Sequence, residues 1–213
     1  MECQALGACP DESLPDLLDV LGRVSGEDGS PVHLLEMVIE GASYAKNVKG
    51  PQLRLVHDLQ HLDSSSSPGT HANLQSGGGE KASEEWTVLH EGMPVRSKQA
   101  NQLSAIVRAV SQSACRGPDV PAFWAALGFR KQYSMVKAGQ AFCCYLEGHE
   151  VEVAVLQVFK EAPVGFSRGE RVSEGLWLVD ARAPVEDGRY IETAGALSKL
   201  SGFLEPLVTL QRP

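Results

Sequence analysis

Between residues 129 and 160 the chain leaves no room for a crossover helix. Three strand-like runs, 129–137, 140–147 and 150–160, are separated only by Ala138-Gly139 and Gly148-His149, both read as turns. Parallel neighbours need a connection of a dozen or more residues, so runs this close must pair antiparallel. In the last run Val151, Val153 and Val155 alternate with Glu150 and Glu152, and then Ala154, Leu156 and Val158 become apolar as well. Either both faces are buried there or a bulge shifts the register.

Further strands are predicted at 1–8, at 33–40 (Leu35, Met37 and Ile39 against Glu36 and Glu40), at 52–59 (Leu53, Leu55 and Leu59 inward), at 86–91, at 176–181 and, as a closing strand, at 207–210. Helical spacing predicts four helices. The first covers 11–26, with Leu14, Leu17, Leu18 and Leu21 on one face. The second covers 98–115, on the stripe Leu103, Ile106, Val107 and Val110. The third covers 119–127, capped by Asp119 and ended by Gly128. The last covers 187–204, with Ile191, Ala194, Leu197, Leu200 and Leu204 inward.

Regular β–α–β alternation is missing, which argues against a doubly wound parallel sheet. The expectation is an α+β fold: one domain over 1–213, a mostly antiparallel β-barrel of about eight strands carrying three or four packed helices. Residues 61–85 interrupt it. They contain Ser64 to Ser67, Gly77 to Gly79 and almost no large apolar side chain, and read as a flexible Ser/Gly-rich insert. The triple glycine lacks GxxxxGK[ST] and no strand leads into it, so it does not read as a phosphate loop.

Charge narrows the function. With 27 acidic and 19 basic residues the chain carries −8 at neutral pH, which suits neither non-specific nucleic-acid binding nor anionic lipid. No run approaches the ~20 apolar residues of a membrane helix. The start of the chain has no basic region and does not read as a secretory signal. Five cysteines (Cys3, Cys9, Cys115, Cys143 and Cys144) without a CxxC pair read as reduced thiols.

Neither GxSxG nor HExxH occurs, and His57 and His61 have a metal spacing only on a helix, where His57 is not expected. Glu150 and Glu152 share one strand face, where hard carboxylate oxygens could hold a divalent cation. The tunnel-type triphosphatases use a Glu-x-Glu-x-Lys strand in this way, but the third position here is Ala154, and the pair reads as a solvated strand face. No catalytic, cofactor-binding or metal-binding residue is assigned. Trp86 and Trp124 read as core. Trp177 alternates against Leu176 and Leu178, and on the outer face of its strand it is a candidate anchor for a protein partner. The pattern favours an interaction protein over an enzyme.

Four collinear segments resemble the Mediator subunit 18 family, most closely its plant or green-lineage form. The central one is Phe123-Trp124-Ala125-Ala126-Leu127-Gly128-Phe129 followed by Val136-Lys137-Ala138-Gly139-Gln140-Ala141-Phe142. The others are Met1-Glu2-Cys3 with Gly7, Trp86-Thr87-Val88 leading into Ala105-Ile106-Val107-Arg108, and Phe203-Leu204-Glu205-Pro206-Leu207-Val208-Thr209-Leu210. The insert at 61–85 departs from the family pattern, and Ser134 stands where members often carry Glu. The resemblance implies a closed, mostly antiparallel barrel with packed helices, related to the tunnel triphosphatase-like barrel. It implies a non-catalytic, nuclear subunit of the Mediator head module, without a cofactor and without direct contact to nucleic acid or membrane. Such a subunit pairs with subunit 20, is tethered by the C-terminal helix of subunit 8, and bridges transcription regulators and RNA polymerase II through protein–protein contacts. The alternative is a barrel-type metal-dependent triphosphatase acting on a phosphorylated substrate. Ala154 and Ser134 argue against it.

Overall fold

The computed structural model describes residues 1–43, 49–60, 84–161, 169–186 and 188–213. Its strands are β1 (Glu2–Pro10), β2 (Ser30–Glu40), β3 (Gln52–Asp58), β4 (Glu84–Pro94), β5 (Ile106–Gly117), β6 (Arg130–Leu146), β7 (His149–Lys160) and β8 (Leu176–Pro184). They pair in the cyclic order β1-β5-β4-β3-β2-β6-β7-β8, so the eight-stranded sheet closes on itself as a ring. Registers are antiparallel, as the short connections require. Among the described residues three α-helices accompany the sheet: α1 (Leu14–Ser25), α2 (Val120–Ala126) and α3 (Tyr190–Leu204).

Several elements follow their sequence signals closely. Gly26 ends α1 in the left-handed conformation at φ 76°. The Asp119 side chain caps α2 by accepting the Ala122 N–H, and Gly128 turns left-handed beyond it. Residues 61–83 of the expected insert lie outside the described residues, while Glu84 and Glu85 open β4.

Four expectations are corrected. The stretch predicted as a helix over 98–115 is largely β5. The spacing of Leu103, Ile106, Val107 and Val110 fits a helical stripe, but Ile106, Val107 and Val110 are β-branched. In the sheet Val107 lies opposite Cys3 on an apolar face and Arg108 lies opposite Glu2 on the other, so pairing imposes period two. Second, Ala138-Gly139 is no turn, because β6 runs unbroken from Arg130 to Leu146. Gly139 faces Leu156, and a Cβ there would stand 2.0 Å from the Val155 carbonyl oxygen, so the glycine marks a close approach of two backbones. The reversal comes instead at Glu147-Gly148, where φ is 53° and 82°, the double positive-φ geometry of a two-residue hairpin loop. Third, 207–210 forms no strand. Only Gln211 meets β1, exchanging hydrogen bonds of 2.8 and 2.7 Å with Leu6. The ring is closed by β1 against β5. Fourth, Ile191 of α3 points to solvent, while Ala194, Leu197, Leu200 and Leu204 are buried as expected.

The residues group into two compact units. The first comprises 1–32, 91–111 and 135–213. Its core joins Leu17 and Leu21 of α1 and Leu197, Leu200 and Leu204 of α3 to alternate residues of five strands: Cys3 and Ala5 of β1, Val107 of β5, Phe142 and Cys144 of β6, Val151, Val153 and Val155 of β7, and Val179, Ala181 and Ala183 of β8. The second comprises 33–90 and 112–134. It packs Val120 of α2 with Met37, Ile39, Leu55, Trp86 and Val88, with Trp124 against them.

Two glycines give opposite predictions. Gly139→Ala forces its methyl into the β7 backbone and should cost about 1–3 kcal/mol. Gly195→Ala, on an open face of α3 with nothing within 4 Å of the new Cβ, should gain about 0.5–1 kcal/mol. Thermal unfolding of the two variants beside the parent checks both signs.

Candidate functional site: the charged lining of the ring

An eight-stranded ring has no room inside for a helix. The strand face that meets α1 and α3 is therefore the outer one, and its alternate residues face inward. In the first unit those alternates include a polar group: Glu2 and Gln4 of β1, Arg108 of β5, Lys137 of β6, and Asp180 and Arg182 of β8. Glu91 of β4 reaches the same group through Arg108.

Gln4 stands at the middle. Its Nε2 donates to Asp180 Oδ1 at 2.8 Å, and its Oε1 accepts from Arg108 Nη2. Arg108 also donates through Nη1 to Glu91 at 2.5 Å. Asp180 Oδ2 accepts from Arg182 through Nη2 at 2.7 Å and Nε at 3.1 Å. A chain of contacts thus runs Glu91–Arg108–Gln4–Asp180–Arg182. Burial works against ionising Asp180, yet the hydrogen bonds and charge of Arg182, helped by Gln4 and Lys137, outweigh it and hold its carboxyl below the usual range. Burial also opposes the charge on Arg182, but the Asp180 carboxylate keeps its pKa above the ordinary value. Burial raises the pKa of Glu2. On the outer face burial pushes the Cys3 and Cys144 thiols up to about 11.

The lining is balanced. Glu2, Glu91 and Asp180 stand among Arg108, Lys137 and Arg182, and both guanidiniums donate to carboxylates or an amide, with Arg108 Nε left buried without a partner. A polyphosphate needs cations that are not already neutralised, and a divalent metal needs converging carboxylates without competing cations. Among the described residues no three His, Cys, Asp or Glu side chains converge as a metal would require.

Glu150 and Glu152 are exposed, as a solvated face should be, and Glu152 lies opposite Arg182 in the β7–β8 register. Glu150 accepts from the Tyr145 hydroxyl at 3.1 Å. Together with Glu27 and Asp28 they line a hollow of about 200 Å³ that, among the described residues, has no cationic side chain in its wall. A phosphate entering it would meet four carboxylates.

Trp177 lies on the outer face of β8, half-buried against the first core. The Arg171 guanidinium stands 5.8 Å from its ring centroid and is itself held by Asp11 at 2.7 and 3.1 Å. The charged chain was not singled out from sequence. The available signal was Asp180 and Arg182 at i, i+2 within the otherwise apolar run LWLVDARA.

A closed antiparallel ring with outer helices and a self-neutralised interior is a scaffold class, in which the inner charges hold strands together. The chain matches the family model described as Med18 protein over residues 1–213 and belongs to that family. It is 34% identical over 129 residues to the Mediator of RNA polymerase II transcription subunit 18 of Arabidopsis thaliana, a match that covers 60% of this chain and 58% of that relative's length. Among solved structures it resembles a chain of the Schizosaccharomyces pombe Mediator head module, at 15% identity and a TM-score of 0.72, covering 100% of this chain and 98% of that one. It also resembles the PH1819 protein of Pyrococcus horikoshii OT3, at 14% identity and a TM-score of 0.58, covering 100% and 94%. At these identities the structural likenesses bear on the fold.

Removing one member of the inner chain should cost more than removing two. Asp180→Ala leaves Arg182 buried without its carboxylate and should cost about 3–5 kcal/mol, while Asp180→Ala with Arg182→Met should recover much of that loss. Because the folded Asp180 has a depressed pKa, its contribution is present above its ordinary value of 3.8 and fades as pH falls below it. Urea unfolding at neutral and acid pH should show Asp180→Asn with the shallower acid loss.

Proposed function

We propose that the chain is a non-catalytic subunit of the Mediator head module. The match to the Med18 family along all 213 residues carries this reading. The Arabidopsis thaliana relative and the S. pombe head-module fold support it. In this role the chain pairs with subunit 20, receives the C-terminal helix of subunit 8, and works in the nucleus. There it bridges transcription regulators and RNA polymerase II by protein contacts. An acidic chain suits that work, since it repels nucleic acid and favours basic protein surfaces. The triphosphatase alternative is not favoured: the inner arginines are engaged by carboxylates and the open hollow is acidic.

Trp177 is the proposed anchor on the outer face, offering the part of its indole that neither the core nor Arg171 covers. Co-expression of the chain with subunit 20 and the subunit 8 C-terminal segment, followed by size exclusion with light scattering, tests the assembly. Co-elution at the summed mass is expected, and a lone monomer that ignores both contradicts the proposal. Trp177→Ala should weaken the assembly by about tenfold, and unchanged affinity would remove Trp177 from the interface.

A further inference from the structure

β5 covers its edge of β1 only from Glu2 to Gln4, while β1 runs on to Pro10 against β8. Among the described residues, the backbone of that edge beyond Gln4 is met by the segment that follows α3. The Leu6 N–H donates to the Gln211 carbonyl at 2.8 Å, and the Gln211 N–H donates to the Leu6 carbonyl at 2.7 Å. Val208 and Leu210 are buried, while Thr209 and Gln211, which alternate with them, are exposed. That is the period of an extended strand with one face on a core. Gly7 supplies the seat. A Cβ there would stand 2.5 Å from Val208 Cγ1 and 3.2 Å from both Leu210 Cδ2 and the Thr209 carbonyl oxygen. The missing side chain is therefore a trough that Val208 fills.

The segment's other hydrogen bonds are a Val208 N–H to the Leu204 carbonyl at 3.0 Å, a Leu210 N–H to Ser201 Oγ at 3.2 Å and Arg212 Nη1 to the Ala100 carbonyl at 3.0 Å. A short segment held by two buried side chains and a few hydrogen bonds opens at lower cost than a strand laddered on both edges. We propose that the β1 edge at Leu6 and the trough over Gly7 form a strand-addition site. Its resident occupant is the chain's own segment 206–212, a detachable strap. An extended segment of a partner protein with the same pattern, a β-branched residue two places before a leucine, takes the strap's place. Main-chain bonds to Leu6 supply the grip, and the Gly7 trough selects the side chain. The strap shows what the site accepts: the run Val208-Thr209-Leu210-Gln211 carries no charge, so shape and backbone pairing decide. The proposal rests on the strap and its seat, and its failure leaves the reading of the chain as a Mediator head subunit untouched.

Hydrogen exchange of the full chain tests whether the strap detaches. The Leu6 and Gln211 amides should share one protection factor, at least about tenfold below that of the β7–β8 ladder. Gly7→Val, whose side chain meets Val208, should strip protection from both and leave the ladder protected. Fluorescence anisotropy tests the exchange. The probe is a labelled peptide copying residues 206–213, and the target is the full chain with Val208→Asp and Leu210→Asp, which empties the seat. The peptide should bind this variant at least about tenfold tighter than the parent, where the tethered strap competes at high effective concentration. Adding Gly7→Val should abolish binding. If the double substitution unfolds the chain, Gln211→Pro, which removes the N–H given to Leu6, takes its place. Leu6 and Gln211 amides as protected as the ladder, or a folded variant that does not bind the peptide, overturns the proposal. So does a dimer formed by exchanged straps that excludes the peptide, because the occupant is then a second copy.

Discussion

Closing a sheet into a ring places the greatest demand on the seam where the last strand finds the first, and here that seam is β1. On one side β1 pairs with β8 through nine residues, while on the other it pairs with β5 through three. The short side is reinforced from within. Gln4 ties β5 to β8 across β1, with one end of its amide on Arg108 and the other on Asp180. A buried amide satisfied at both ends favours a single register, since a slip of one residue would turn Gln4 into the apolar outer core and Cys3 into the charged interior. Closure in turn removes the open strand edges that an eight-stranded sheet would expose.

The same arrangement engages the inner arginines with carboxylates. A barrel that handles phosphate keeps cations free and carboxylates open to metal. Here each inner arginine faces a carboxylate, so the charges are used to hold strands together. The outside carries the half-buried indole of Trp177 and, on the second unit, the exposed Phe123 and Leu127 of α2. Both suit a protein that acts by contact.

Much of the fold was legible because its signals are local. The leucine stripe of α1, the Asp119 cap, the valine alternation of β7 and the missing β–α–β rhythm each act within a few residues. The misreadings came where distant residues decide. Ile106, Val107 and Val110 satisfy helical spacing, and only the neighbouring β1 makes them a strand. Gly139 looks like a turn residue, but its absent side chain accommodates the β7 backbone, 17 positions along from its contact Leu156. The inner charges were illegible for the same reason: Gln4, Arg108 and Asp180 are far apart in sequence and become a chain only when the ring closes. Glu150 and Glu152 behaved as expected because strand alternation alone places them on one face.

The central claim is that the charged lining is spoken for by its own side chains. Isothermal titration calorimetry of the full chain with inorganic tripolyphosphate, with and without Mn²⁺, tests it most directly. The account predicts no heat beyond dilution, because binding would have to break the pairs around Asp180 and Glu91. Saturable binding that Arg182→Ala abolishes, in a variant that still folds, would contradict it and return the interior to the status of a ligand site.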